Sequence, residues 1–334
     1  MTTHRQIVVT ELPKGKLGEE HFELQEVEAP TPGDGDVLLR VILMSIDAAN
    51  RGWLKGATYR AAVNAGDVMP TYAICEVIDS RSNRLAKGDI VVSEAVWADH
   101  IVAPAHKVQK LPRVPQLTHL LSVYGIAGKT AFHGLLQIGK PLAGETIVVS
   151  AAAGSVGGYV GQIGKALGCR VVGIAGGPEK CVFATDVLGF DACVDYCAGN
   201  VFKDLRAACP DGIDVYFDNV GGEILETALN LMNERGRVVC CGAISQYDGD
   251  TPTGPRNLPG VVVVKRLRME GFIVMDFAAD DAKATRALQA WVAQGKIKVT
   301  EDVVEGLENA PKALIGLLAG DNTGKRMVRV GPDP

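Results

Sequence analysis

The stretch ETIVVSAAAGSVGGYVGQIGKALG, which starts at Glu145, constrains the fold more than any other segment. It opens as an apolar run over residues 146 to 150, tightens through small residues, and continues toward Leu167 with helical spacing. A strand that turns into a helix through residues with little side chain begins a βαβ unit, and it lets an anion reach the N–H groups at the helix's positive end. Gly154 and Gly157 are expected to supply the turn, with Ser155 and Val156 between them and Ala151 opening it. The alternative is a tight βα turn in a protein that binds no nucleotide, and the downstream residues decide between the two.

Downstream of the turn, strands and helices alternate. Apolar strands are expected over residues 170 to 174, 192 to 195, 215 to 218, 236 to 241 and 269 to 274, with helices over 156 to 167, 179 to 188, 223 to 231 and 282 to 294. Strands that alternate with helix-length segments form parallel βα units, so the chain is α/β with a doubly wound sheet of about six strands. Upstream, residues 6 to 105 show short β-rich runs broken by glycine, proline and aspartate, the texture of a mostly β domain. A strand over 299 to 304, a helix over 310 to 318 and a strand over 325 to 330 close the chain. The prolines 252, 255 and 259 mark a loop.

The second strand of the alternating region indicates which nucleotide is bound. In NAD-preferring sites an Asp or Glu ends this strand and accepts hydrogen bonds from the ribose hydroxyls. Here the place reads Gly173-Ile174-Ala175-Gly176-Gly177, without an acid. Lys180 comes next in the same loop, a cation suited to the 2′-phosphate of NADP, and Tyr196 ends the next strand with a hydroxyl to offer. NADPH is therefore the expected cofactor. Taken singly, Lys180 reads equally as a solvated helix-start lysine and Tyr196 as a structural strand-end tyrosine; their joint placement after the glycine turn favours the functional reading.

Several classes are set aside. A net charge of -5, with 34 basic against 39 acidic residues and no long basic run, disfavours nucleic-acid binding. No apolar stretch approaches the ~20 residues that span a bilayer. The N-terminus lacks the apolar core of a secretory signal, and the eight cysteines form no CxxC pair. A cytoplasmic protein with free thiols is expected.

Five motifs, AAAGSVGG from Ala151, YFDNVGGE from Tyr216, CGAISQYD from Cys241, RLRMEGFIV from Arg266 and GDNTGK from Gly320, resemble the medium-chain dehydrogenase/reductase superfamily. Within it they are similar to the prostaglandin reductase, alkenal double-bond reductase and curcumin reductase group, in the same order and over nearly the whole chain. The resemblance implies a GroES-like catalytic domain over residues 1 to 122 and 299 to 334, and a Rossmann domain over 123 to 298. It carries cofactor contacts onto Gly154 to Gly157, Lys180, Tyr196, Asn219, the loop Cys241, Gly242, Ala243, Ile244, Ser245, Gln246 and Tyr247, then Phe272, Ile273 and Val274, and Asn322. It also places Thr130 near the nicotinamide amide, with a locally capped helix-start threonine as the alternative. A turn asparagine that satisfies only its own loop is the alternative for Asn219 and for Asn322. The resemblance implies a homodimer.

Zinc members of the superfamily carry a Gly-His-Glu element, which has no counterpart in Pro70-Thr71-Tyr72-Ala73-Ile74-Cys75-Glu76, and no cysteine occurs between Cys75 and Cys169 for a structural four-thiol lobe. No metal is expected. The chemistry implied is NADPH-dependent reduction of the carbon–carbon double bond of α,β-unsaturated ketones or aldehydes, with hydride delivered to the β-carbon. A donor aimed at the developing oxyanion is worth about 3 kcal/mol in a water-poor site, and Tyr247, just beyond a sheet strand, is the candidate. The alternative is that Tyr247 lines the cleft while water supplies the proton. Where the family has Asp-Pro-Tyr-Met-Arg, this chain reads Asp47-Ala48-Ala49-Asn50-Arg51, so Tyr59 or Tyr72 is a candidate replacement for the missing ring. A quinone reductase and a non-catalytic NADPH-binding protein are the competing readings.

Overall fold

The structure, a computed structural model, describes residues 3–112, 114–248 and 254–334. The chain forms two compact units: Met1–Leu121 with Glu301–Asn322 and Arg326–Pro334, and Ser122–Thr300 with Thr323–Lys325.

The first unit is antiparallel. Strands β1 (Thr3–Val9) and β2 (Phe22–Glu28) pair along their full length. They are followed by β3 (Asp36–Ser45), the short helix α1 (Ala49–Trp53), β4 (Pro70–Ser80), β5 (Ile90–Val96), β6 (His100–Pro104) and β7 (Gln109–Lys110). In the first half of β3, Val37, Leu39 and Val41 are fully buried while Asp36, Leu38 and Arg40 are partly exposed, the two-residue period of a half-buried strand. Ile42, Leu43 and Ile74 meet Leu117, Leu120 and Leu121 in a core of their own.

The second unit begins with α2 (Ile126–His133), which widens into a π-helical segment over Gly134–Gly139. Then come β8 (Thr146–Ser150), α3 (Ser155–Ala166), β9 (Arg170–Ala175), α4 (Pro178–Val182) with a π-helical extension, and β10 (Ala192–Asp195). Next are α5 (Val201–Ala208), β11 (Ile213–Asp218), α6 (Gly222–Leu231), β12 (Met232–Cys240), α7 (Leu258–Lys265), β13 (Arg268–Gly271) and α8 (Asp281–Ala293). The six strands pair in the order β10-β9-β8-β11-β12-β13, and every pairing is parallel. Strand order reverses beside β8, and open α/β sheets bind ligands at the carboxyl ends of strands at such a switch point.

Both faces of this sheet are covered, as parallel strands require. Ile147, Val149, Val171, Val215 and Phe217 point to the face packed by Tyr159, Val160 and Ile163 of α3 and Leu288 of α8. Val148, Val172, Val194, Tyr216 and Val238 point the other way, to Leu205 of α5 and Ala228 and Leu229 of α6.

The chain closes with β14 (Glu301–Glu305), α9 (Ala310–Ala319) and β15 (Lys325–Arg329). These complete the first unit's sheet in the order β14-β15-β3-β4-β5-β7, with β6 also on β3. The architecture is a Rossmann doubly wound parallel sheet plus a GroES-like, mostly β domain.

Three segments differ from the sequence expectations. The strand expected over residues 269 to 274 stops at Gly271, and Val274 opens a 3-10 helix. The apolar run at 260 to 264 is helical, as part of α7, with Pro259 in the first turn, where its missing N–H costs nothing; of the proline cluster, Pro252 lies outside the described residues. Helix α5, which the sequence reading did not assign, turns Val201, Leu205 and Ala208 toward the sheet, and Asn200 caps it by accepting from the Lys203 N–H at 3.0 Å.

Candidate cofactor and active site

The turn after β8 is tight for a reason different from the one its glycines suggest. The left-handed residue is Ala151, with φ +52°, while Gly154 is extended (φ -85°, ψ -175°). Gly157 is needed for space: a Cβ there would lie 2.3 Å from the Ala151 carbonyl oxygen. No side chain caps α3 at Gly154, so the N–H groups of its first turn, at Ser155, Val156 and Gly157, face the turn. The Ser155 hydroxyl is buried among the described residues without a hydrogen-bond partner. An uncapped N-terminus, a cradle that a methyl group would fill and an orphaned hydroxyl suit a pyrophosphate. Gly324 adds to the turn by donating its N–H to the Ala153 carbonyl at 2.8 Å.

Asp218, at the end of β11, organises the neighbouring strand ends. It is 3% exposed, and its Oδ1 accepts from the N–H groups of Gly221 (2.9 Å) and Val220 (3.0 Å) and from the Tyr216 hydroxyl (3.0 Å). Burial pushes its carboxyl above the usual range, while these donors pull it back. On one side Asn219 donates its backbone N–H to Ser150 Oγ at 2.9 Å and its side-chain amide to the Ser150 carbonyl at 2.8 Å. On the other, the N–H groups of Cys241 and Gly242 reach the Asp218 carbonyl at 2.9 and 3.1 Å, and Ile244 N–H reaches the Asn219 carbonyl at 3.2 Å. Ser245 Oγ donates to the Val220 carbonyl at 2.6 Å. Asn219 therefore does more than satisfy its own loop: it ties the end of β8 to the loop Cys241–Tyr247. Ser150, Tyr216 and Asp218 escaped the sequence reading; the signal available was an Asp ending an apolar strand, with a Tyr two residues earlier on the same face.

Within that loop, Ile244 to Gln246 form one 3-10 turn and Tyr247 curls back, its hydroxyl accepting the Ala243 N–H at 3.3 Å. Burial raises the Tyr247 hydroxyl above its ordinary pKa, so it stays protonated at neutral pH. Burial pushes the Cys241 thiol up to about 12, which leaves it an inert packing group.

Lys180 and Tyr196 follow the ends of the neighbouring strands β9 and β10. Lys180 sits half-buried in α4, and Tyr196, 47% exposed, comes just after β10 with its hydroxyl over Gly176, where a Cβ would come within 2.9 Å of the oxygen. An open groove of about 400 Å³ is lined by Tyr196, Asn200, Phe202, Glu223 and Thr227.

The remaining candidates divide. Phe272 packs by its edge on Phe217, at 6.4 Å between ring centroids, and Ile273 and Val274 lie beyond the end of β13. Thr130 donates to the Ile126 carbonyl at 2.6 Å, the local bond of its alternative reading, which leaves its lone pairs as the groups to offer. Asn322 is buried and belongs to the first unit, as do Tyr59 and Tyr72. Tyr72 donates its hydroxyl to Glu94 at 3.1 Å, and burial first, then Glu94, push it up to about 12; Tyr59 is exposed. Asn50, in place of the family's methionine, is buried, accepting the Asp47 N–H at 2.8 Å and donating to the Pro70 carbonyl at 3.2 Å. Among the described residues no three His, Cys, Asp or Glu side chains converge on a metal position, and no helix is long and apolar enough to cross a membrane.

A switch-point glycine turn on a 3-2-1-4-5-6 sheet, accompanied by a GroES-like unit, is the arrangement of dinucleotide-dependent oxidoreductases. Residues 5–111 match the model of the N-terminal domain of oxidoreductase, and residues 155–291 that of zinc-binding dehydrogenase. The chain is 42% identical to the NADPH-dependent curcumin reductase of Escherichia coli, over 99% of this chain and 98% of that protein. It is 41% identical to prostaglandin reductase 1 of Mus musculus, over 92% and 94% of the two chains. The crystal structure of CurA from Vibrio vulnificus in complex with NADPH superposes with a TM-score of 0.94 at 40% identity, covering 98% of this chain and 100% of that one. The chain belongs to the medium-chain dehydrogenase/reductase family, in its curcumin reductase and prostaglandin reductase branch. It is an NADP-dependent oxidoreductase that uses NADPH.

Proposed function

We propose that this enzyme reduces the carbon–carbon double bond of α,β-unsaturated ketones or aldehydes. Bound NADPH supplies the hydride that adds to the β-carbon. The amides and hydroxyl of the first turn of α3, at Ser155 to Gly157, hold the pyrophosphate; Lys180 and Tyr196 hold the 2′-phosphate; Asn219, the loop Cys241–Tyr247, Phe272 to Val274 and Asn322 line the rest of the cofactor, and Thr130 offers an acceptor to the nicotinamide amide. Addition at the β-carbon leaves negative charge on the carbonyl oxygen, Tyr247 stabilises this enolate by donating a hydrogen bond, and a proton from solvent added at the α-carbon completes the saturated carbonyl product. The observation that carries this assignment is the Tyr247 hydroxyl itself: it accepts from Ala243 N–H, so its own hydrogen is not consumed in that bond, and burial keeps it un-ionised. The names of the relatives, a curcumin reductase and a prostaglandin reductase, support the substrate class.

The test is NADPH consumption against a medium-chain 2-alkenal, an aryl enone and a quinone, and NADP reduction with a secondary alcohol, all with EDTA present. Turnover of the alkenal or enone that survives EDTA is expected. Turnover of the quinone alone would make this a quinone reductase, and NADPH binding without turnover of any acceptor a non-catalytic binder.

The same proposal includes a homodimer through β13, which ends the parallel sheet. Arg268 and Glu270 flank Met269 on this strand, so two copies running antiparallel about Met269 set each Arg268 opposite the Glu270 of the second copy. Light scattering should report a dimer, and Arg268→Glu, which sets like charges face to face, should shift it toward monomer. A cytoplasmic setting suits eight cysteines that are all free thiols.

A further inference from the structure

The corner between β9 and β10 holds a carboxylate that the cofactor reading leaves unused. Asp195 ends β10, directly across from Ala175 at the end of β9, where NAD-selecting folds carry their ribose-binding acid. Its Oδ1 accepts the Gly177 N–H at 2.7 Å and the Cys197 N–H at 2.9 Å. Gly177 has φ +89°, a left-handed value that favours glycine, and it is the residue from which α4 starts, with Lys180 in that helix. Between the two parts of the clamp stands Tyr196, whose N–H donates to the Ala175 carbonyl at 3.1 Å and whose hydroxyl covers Gly176. One carboxylate oxygen thus ties the loop that launches Lys180 to the loop that carries Tyr196.

We infer that Asp195 is a positioning residue for cofactor selectivity: its two amide hydrogen bonds hold Lys180 and Tyr196 at the separation a 2′-phosphate requires. The clamp also resolves an apparent conflict. An acid at this corner suits a ribose hydroxyl, as in NAD sites, whereas here Oδ1 is committed to two backbone amides. The inference rests on the assignment of Lys180 and Tyr196 to the 2′-phosphate.

The experiment is calorimetric titration of the full chain with NADPH and with NADH, for wild type, Asp195→Ala and Asp195→Asn. Hydrogen bonds to a charged group are strong enough that Asp195→Ala should weaken NADPH binding about tenfold or more, with NADH binding changed less than about twofold, because NADH has no phosphate for the displaced groups to miss. Asp195→Asn keeps an oxygen acceptor and should stay within about threefold of wild type for NADPH. Equal losses for both cofactors, no loss, or an Asn variant as weak as the Ala variant overturns the inference. If Asp195→Ala does not fold, Asp195→Glu, which displaces the acceptor by one methylene, should reproduce the selective loss, and an equal loss for both cofactors again overturns it. Binding needs no acceptor substrate, so failure of double-bond reduction leaves the titration intact, and an unchanged NADPH affinity in Lys180→Ala would sink the phosphate assignment separately.

Discussion

The turn after β8 and the loop after β12 flank the same strand end, β11, yet they are shaped in opposite ways. The turn is fixed by crowding within a few residues: the Ala151 carbonyl excludes any side chain at Gly157. The loop has no such local rule. Its path is set by bonds to Asp218, Asn219 and Val220, residues more than twenty positions earlier in the chain. A phosphate needs only backbone N–H groups, and a short sequence can present those unaided. A hydrogen-bond donor aimed at an oxyanion needs one side chain at one place, which takes a scaffold of long-range bonds.

The largest expected effect breaks the local side of this contrast. Gly157→Ala places its methyl against backbone that cannot swing aside, so a loss of about 3 kcal/mol is expected, read as a clear drop in Tm together with loss of NADPH binding. A Tm unchanged from wild type would show that the turn has more room than its geometry allows.

Tyr247→Phe probes the other side. It removes the donor while leaving the ring, and should lower kcat/KM for an enone about 100-fold with Tm close to wild type. Because burial raises the hydroxyl pKa, the protonated donor persists as pH rises, and the wild-type rate should hold its plateau past the pH at which an ordinary tyrosine ionises, then fall above the raised value. A rate that declines earlier would show that a group other than the Tyr247 hydroxyl sets the alkaline limb.

Lys180→Ala should weaken NADPH binding about tenfold and leave NADH affinity near its starting value, read by titration. The smallest effect comes from Ala151→Gly, which relieves a left-handed alanine and should change stability by no more than about 1 kcal/mol. A large loss there would mean that the methyl group packs in the turn as well as straining it.

The strand boundaries of β8 and β10 were legible from apolar runs ended by small or charged residues, and so was the helix after the glycine turn. The end of β13 was not, because Phe272, Ile273 and Val274 continue its apolar run: Phe272 is drawn into the core against Phe217 and Phe277, and Val274 turns into a 3-10 helix. Helix α7 was missed because four consecutive valines carry no helical period and favour strands on intrinsic propensity. At the site, Lys180 and Tyr196 could be paired from their positions at successive strand ends, whereas Asp195 could not, since a strand-end aspartate does not reveal which amides it will meet.

By itself the sequence determined the alternating parallel unit, the tight strand-to-helix turn after β8 and the absence of an acid at the end of β9, because each depends on residues close together in the chain: periodicity, side-chain size and charge. Tertiary structure alone decided that Asp218 fastens two strand-end loops, and that Asp195 Oδ1 meets the Gly177 and Cys197 amides. Those outcomes depend on which backbone amides are brought to a buried oxygen across the sheet. Parallel pairing sets that geometry over separations that no local pattern records.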